Sequence, residues 1–424
     1  MRILIYNLLL PFAFFGFVPG LLWKLWRRPG WKSTFLERFG IFGSRRASCA
    51  EFKGAIYVHA VSVGETMIAL GFIRRYLERF PDRRFVLGTT TTTGQALARE
   101  KAPANVQVIF SPIDFRWMVR RTLDLLEPKE IVIFETELWP NLIDLAAKRR
   151  IPLMLANGRI SDRSARGYRR WKFFFAPLLE AFRLIAAQSE ADAERFRSIA
   201  PAGRIENFGN LKFDQRVPAG IGDARLEDCF GPGPHRIVMT ASTHPGEEAL
   251  ALAAFQSLRG EFRDLKLLLV PRHAERGPEL EAMLKKSGVS FVRRSLAKAS
   301  PQPVDCILAD TTGEMLKLMN SAEIVIMGKT LAGHTEGQNP IEPALLGKAI
   351  IAGDNLRNFR FVRGQLAENH GIELLARDED LTDAIRGLLL DDSRRAELGR
   401  HAAEAVRRNT GATDRTIEAI EKLS

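Results

Sequence analysis

From residue 55 onward, short β-rich runs alternate with stretches of helical periodicity along almost the whole chain. Few folds accommodate that alternation. Consecutive strands separated by helices pair in parallel, and the helices cover both faces of the sheet. The first series of expected strands is Ala55–Val61, Arg84–Thr89, Val106–Phe110, Glu130–Phe134, Leu153–Ala156 and Leu184–Ala187. Helix-like spacing follows several of them, as in Met67–Phe80 and Leu142–Arg149. A polar, Gly/Pro-rich stretch from Val217 to Pro234 reads as a linker. A second series then runs through Arg236–Thr240, Leu265–Val270, Val304–Ala309, Glu323–Met327, Ala349–Ile351 and Ile372–Leu375. Leu381–Leu390 and Arg394–Leu423 read as helices. The expected fold class is α/β, two doubly wound domains with a cleft between them. Open parallel sheets bind ligands at the carboxyl ends of their strands, so chemistry belongs in the loops there.

The length of 424 residues fits this plan, at roughly 150 residues per domain. Hydrophobic residues at 46% and charged residues at 26% exclude wholesale disorder. Cys49, Cys229 and Cys306 stand in no metal-binding or disulfide spacing and are expected as reduced, buried thiols.

The N-terminus is separate. Ile3 to Trp23 is apolar but for Asn7, long enough to cross a hydrocarbon core of about 30 Å. Pro11, Gly16, Pro19 and Gly20 interrupt it, so a kinked span and an obliquely inserted helix both fit. Docking of the segment on the chain's own core is the third reading. Lys24, Arg27, Arg28, Lys32, Arg38, Arg45 and Arg46 follow, with Glu37 the only acid among them, which places the bulk of the chain on the cytoplasmic side. The expected organisation is an anchor over residues 1–27, a first domain over 28–216 and a second over 217–424.

Several motifs are discarded. Gly328-Lys329-Thr330 lacks the upstream glycine of a phosphate-binding P-loop, since position 323 is Glu. Asp378-Glu379-Asp380 resembles a metal-holding acidic triplet, but acids at a helix start are favoured by the dipole alone. There is no GxSxG elbow. The net charge of +12 raises the question of nucleic acid, but no recognition module is legible, and no nucleic-acid partner is expected.

What remains is polar loops at strand ends. In His59–Thr66, Glu65 lies by a helix N-terminus, with Gly64 expected to turn the backbone. A carboxylate there serves either as a general base or as a helix cap. In Glu135–Asn141, two carboxylates follow a strand, and Pro140 suits a first helical turn. They orient a polar substrate or pair with structural cations. In the second half, Pro271-Arg272-His273 and Asp310–Glu314 follow strands, and Asn339-Pro340-Ile341-Glu342 opens a helix. Helix N-termini and Arg272 suit a phosphate, and Glu342 suits ribose hydroxyls; ordinary capping is the alternative for each loop.

At these residues the sequence resembles the 3-deoxy-D-manno-octulosonic acid (Kdo) transferases. The likeness is carried by Ser62–Glu65, Glu135–Asn141, Asn157–Ser161, Gly209–Asp214, Ser242–Glu248, Pro271–His273, Gly313-Glu314 and Asn339–Glu342. It implies a GT-B architecture of two Rossmann-like domains, the first for the acceptor and the second for the donor. It also implies an enzyme anchored on the cytoplasmic face of the inner membrane, moving Kdo from CMP-Kdo to a lipid A precursor in lipopolysaccharide synthesis. Glu65 matches the family's proton acceptor. Pro271, Arg272, Thr312, Gly313, Glu314, Asn339, Pro340, Ile341 and Glu342 match its CMP contacts. Glu137 and Lys212 are expected as supports, Lys212 for the Kdo carboxylate. Gly328-Lys329 stands where the family usually has a glycine pair, and Glu336-Gly337-Gln338-Asn339 where it has Gly-Gly-His-Asn; the added Lys and Glu are able to pair.

The expected mechanism is inverting. Glu65 takes the acceptor proton, and CMP leaves against Arg272 and the helix N-termini. The scheme requires neither a metal nor a cofactor. The basic, aromatic stretch Tyr168–Phe175 is expected either to dip into headgroups or to pack as a core helix with a basic edge. An anionic membrane surface is therefore an expected partner. A lipid-linked transferase using a UDP-sugar on the same architecture is the alternative.

Overall fold

The computed structural model describes residues 2–12, 35–218, 220–297 and 299–423. Most of the expected anchor lies outside these residues. Its described portion, residues 2–12, is helical, and no helix among the described residues is long and apolar enough to cross a membrane.

The chain divides into two compact units, residues 1–214 with 410–424, and residues 215–409. Each is built on a seven-stranded sheet. In the first unit the strands are β1 (Ile56–Ala60), β2 (Phe85–Thr89), β3 (Val106–Phe110), β4 (Glu130–Phe134), β5 (Leu153–Gly158), β6 (Leu184–Ala187) and β7 (Ile205–Asn207). Their order is β3-β2-β1-β4-β5-β6-β7, and every pair is parallel. In the second unit they are β8 (Arg236–Thr243), β9 (Leu265–Pro271), β10 (Phe291–Arg293), β11 (Cys306–Leu308), β12 (Ile324–Met327), β13 (Ala349–Gly353) and β14 (Glu373–Leu375). They run β10-β11-β9-β8-β12-β13-β14, again all parallel.

Period-two alternation explains the first core. Tyr57, Ile131 and Ile133 join one apolar cluster, while Val58, Val132 and Phe134 join another. With helices over both faces, the central strands are buried throughout, as parallel sheets require. The three cysteines are free and buried.

Three expectations are corrected. The edge strands β7 and β10 are not legible in the sequence, because three-residue runs such as Ile-Glu-Asn and Phe-Val-Arg carry too little pattern. The single helix expected over Arg394–Leu423 is two, Asp392–Arg408 and Ala412–Leu423, broken where Gly411 takes a left-handed φ of 94°. Residues 410–424, read as part of the second domain, belong to the first unit. There Ala412, Ile417 and Ile420 enter the cluster of Val58 and Phe72. Asp414 pairs bidentately with Arg75 at 2.9 and 3.0 Å, and Arg83 reaches Glu421 at 2.6 Å.

Candidate active site

In each sheet the strand order reverses at one point, and the loops on either side diverge to leave a crevice at the carboxyl ends. In the first sheet that point lies between β1 and β4. Glu65 lies in the first turn of the helix after β1, and the loop after β4 carries Glu135 and Glu137.

The helix after β1 is Val63–Arg79, starting earlier than the sequence suggested. Gly64 is therefore helical rather than a turn residue, and a side chain there would meet only the Ser62 hydroxyl at 3.8 Å. Ser62 caps the helix, its Oγ accepting from the Glu65 N–H at 3.2 Å. Glu65 reaches back in turn. Its Oε2 accepts the Val61 N–H at 2.8 Å, and its Oε1 accepts the Ser62 hydroxyl at 2.6 Å. This is a capping box in which the acid also closes on the preceding strand end. The side chain is 6% exposed and has no ion pair with Lys or Arg among the described residues. A carboxylate offers about four lone-pair sites, so two accepted bonds leave acceptor capacity.

Around it sits a charged group from three loops. Glu135, at a left-handed φ of 57°, pairs with Arg159 at 3.0 Å. Glu137 accepts from the Trp139 indole at 3.2 Å. Burial raises the proton affinity of both carboxyls; Arg159 and Lys212 oppose this at Glu135, and Glu65 adds to it at both. Lys212, on the 3-10 turn Leu211–Asp214, has its ammonium pKa lowered by burial, with Glu135 pulling it back up. Its turn is fixed by Asn157, whose Oδ1 accepts the Leu211 N–H at 3.0 Å. In the sequence Arg159 stands only within a motif; its role as Glu135's partner needs the β5 loop beside the β4 loop, which no local pattern announces.

In the second sheet the reversal lies between β8 and β12. Glu247, to which the sequence alone assigns no role, organises this end. Its two oxygens accept four backbone N–H groups, those of His244 and Lys329 at 2.8 Å each, Thr330 at 2.9 Å and Leu331 at 3.0 Å. The carboxylate fills a nest that would otherwise attract an external anion and stitches the two loops together. The sequence signal was its position three residues after His244, at the start of the helix Glu247–Leu258.

The expected donor residues are distributed as follows. Pro271 ends β9, and Arg272 beyond it is exposed. Thr312 and Gly313 are exposed, with Gly313 at φ 85°. Glu314 pairs with the buried Arg294 at 2.9 and 3.1 Å and accepts from Thr311 at 2.6 Å, so its carboxylate is engaged within the unit. Asn339 Oδ1 accepts the Ile341 N–H at 3.1 Å in a turn just before the short helix Ile341–Leu345, but Pro340, not Asn339, is the cap residue, and no side chain caps the helix. Glu342 is partly buried, which raises its carboxyl pKa against the Asn339 hydrogen bond. Lys329 and Glu336, able to pair on sequence grounds, do pair, at 3.7 Å. Of the acidic triplet, Asp378 accepts the Ala332 N–H and Asp380 pairs with Arg377.

The first unit carries one further surface. Helix 2–12 is fastened to it by polar contacts. Tyr6 donates to Asp114 at 2.9 Å, and the Asn7 and Asn141 amides bond reciprocally at 2.9 and 2.8 Å. Arg2 donates to the Phe173 carbonyl at 3.0 Å. Asp114 also takes the Asn141 and Leu142 N–H groups, yet burial still pushes its pKa up to about 7. The helix leaves Leu4, Ile5, Leu8, Leu9 and Phe12 outward. Trp171 and Phe173 are also exposed, flanked by exposed Arg169, Arg170 and Lys172, while Tyr168, Phe174 and Phe175 pack on the core.

Two doubly wound parallel-sheet units with charged loops at their switch points define a GT-B-like fold. The UDP-GlcNAc 2-epimerase of Neisseria meningitidis, solved with UDP-GlcNAc, shares it with a TM-score of 0.57 at 10% identity, over 87% of this chain and 100% of that one. Sequence likeness then narrows the class to the glycosyltransferases. A family model described as 3-deoxy-D-manno-octulosonic-acid transferase (kdotransferase) matches residues 33–215. The 3-deoxy-D-manno-octulosonic acid transferase of Haemophilus influenzae is 31% identical over 400 residues, spanning 93% of this chain and 92% of its own. That of Bordetella pertussis is 32% identical over 414 residues, 94% of each. The chain belongs to the 3-deoxy-D-manno-octulosonic acid transferase family.

Proposed function

We propose that the protein transfers Kdo from CMP-Kdo to a lipid A precursor in lipopolysaccharide synthesis, with Glu65 as the general base. The observation that carries this is the Glu65 carboxylate. It is held at the carboxyl end of β1 by one N–H and one hydroxyl, with no ion-pair partner among the described residues and with acceptor capacity to spare. In this reading the acceptor hydroxyl gives its proton to Glu65 as its oxygen attacks the anomeric carbon of Kdo. The bond to the CMP phosphate breaks, and the configuration inverts. The first unit takes the acceptor, with Glu137 orienting it and Lys212 facing the Kdo carboxylate. The second takes the donor, with Arg272 at the phosphate and Pro271, Thr312, Gly313, Glu314 and Asn339 through Glu342 around the nucleotide. Arg272 and strand-end N–H groups offset the charge on the leaving phosphate.

The acceptor's acyl chains lie in a bilayer, so the enzyme works at an anionic membrane surface, the cytoplasmic face of the inner membrane. The outward apolar face of helix 2–12, with Trp171, Phe173 and their basic neighbours, supports this.

The test is Glu65→Gln, assayed with a lipid A precursor and a CMP-Kdo source by mass spectrometry of the product. Loss of a general base costs about 10²–10⁴ in rate. Turnover should fall by that order while CMP affinity is kept; near-normal turnover would falsify the role of Glu65. Competition by UDP but not CMP would instead favour a UDP-sugar donor.

A further inference from the structure

The loop after β12 displays a lysine whose backbone is unusual. Lys329 sits at φ 61°, a left-handed conformation that L side chains disfavour. Ser242, at φ 58° where β8 shifts register, and Ala332, at φ 52° in the β12 loop, share it. Gly328 cannot be larger, since an added Cβ would stand 2.2 Å from the Ser242 carbonyl oxygen. Non-glycine residues persist in such conformations where the surroundings over-determine them, and they gather at ligand-binding sites. Here the determinant is Glu247, which takes the N–H groups of Lys329, Thr330 and Leu331 and so fixes the direction in which the lysine leaves the chain.

Several nitrogen-bearing side chains gather around that lysine. His244 lies between two other imidazoles, with ring centroids 5.5 Å from His334 and 5.9 Å from His273. Its proton affinity is held down by burial first, then by Lys329, His334, His273 and Arg272. The acids nearby are committed. Glu247 is spent on the backbone, Glu275 lies 3.6 Å from His273, and Glu336 lies 3.7 Å from the Lys329 ammonium, beyond hydrogen-bond distance. The Gln338 amide faces His244 Nε2 at 3.2 Å, which puts the His244 proton on Nδ1. His334 Nε2 donates to the Pro245 carbonyl at 3.0 Å.

We propose that Lys329, with His244 beside it, is a phosphate-holding cation of the second unit, and that Glu336 steadies it until a phosphate takes its place. Resting on the donor reading above, this makes Lys329, alongside Arg272, a residue that separates a nucleoside monophosphate from the bare nucleoside. A phosphate monoester carries up to two negative charges and accepts hydrogen bonds from several sides, which matches an ammonium and an imidazole N–H at a sheet's switch point. The pair with Glu336 is long and partly exposed, so exchanging it for a phosphate costs little.

The experiment is calorimetric titration of the full chain and of Lys329→Gly with CMP, cytidine, UMP and inorganic phosphate. Glycine removes the charge and suits the left-handed backbone, so thermal stability should hold or rise, and a folding defect does not confound the result. CMP affinity should fall about tenfold or more in Lys329→Gly, with cytidine affinity unchanged. Glu336→Gln, which frees the lysine, should tighten CMP severalfold and leave cytidine alone. Equal losses for CMP and cytidine, or no loss for either, overturn the proposal, as does a chain that binds none of the phosphate-bearing probes. Binding of UMP rather than CMP that still depends on Lys329 would overturn the cytidylate reading while sustaining the phosphate site.

Discussion

Glu65 is both a helix cap and the proposed base, and the two roles are separable by substitution. A glutamine side chain at this position would keep an oxygen for the Val61 N–H and an amide beside Ser62, so Glu65→Gln should unfold within a few degrees of the wild type while losing turnover. Glu65→Ala removes both bonds from a buried strand end and should cost about 1–2 kcal/mol in chemical unfolding. His59, on the same strand end, makes a different prediction. It is fully buried, its Nδ1 lies 3.0 Å from the Ser111 hydroxyl, and its Nε2 has no partner among the described residues. Burial lowers its pKa from 6.5 to about 3. Between those values the unfolded chain binds a proton that the folded chain refuses, so the contribution of His59 is complete above pH 6.5 and is lost as pH falls toward 3. His59→Asn should flatten the decline of melting temperature with acid over that window; an unchanged slope would show that other groups set it.

At the scale of elements, the central strands were legible because aliphatic runs buried on two faces admit few other readings. The loops were legible only in part. That Glu65, Glu135 and Glu137 lie at strand ends follows from where the apolar runs stop. That Arg159 answers Glu135, that Glu314 is held by Arg294, and that Glu247 gathers four N–H groups all depend on loops separated in sequence by tens of residues. Helix 2–12 shows the same division. Its apolar character is plain in the sequence, yet its fastening through Tyr6 and Asn7 to Asp114 and Asn141 is a product of packing. With one face tied down, the other should meet the bilayer. Leu8→Glu combined with Phe12→Glu should reduce co-sedimentation with anionic vesicles severalfold and leave CMP binding intact; undiminished sedimentation would move the membrane contact elsewhere.

At the scale of the whole molecule, the chain's end returns to its first unit. Deleting residues 410–424 should destabilise that unit and spare the second. Ile417 and Ile420 are fully buried, and stripping two such side chains from a core costs about 2–3 kcal/mol each, before the Arg75–Asp414 and Arg83–Glu421 pairs are counted. Hydrogen exchange resolved by peptide should show faster exchange in the helix Val63–Arg79 and in β1, with protection over β8 and β9 unchanged. Uniform loss across both units would contradict the division.

Hydrophobic period and strand-end punctuation are local properties, and from them follow two parallel α/β units and the loops that carry charge; the family likeness rests instead on the particular residues in those loops. The capping geometry of Glu65, the acids neutralised by partners, the lysine set out at the end of β12 and the unit that claims the last helix were settled by packing. Each depends on which distant backbone N–H or guanidinium arrives beside a given carboxylate, and pairing across such distances leaves no periodic trace in the chain.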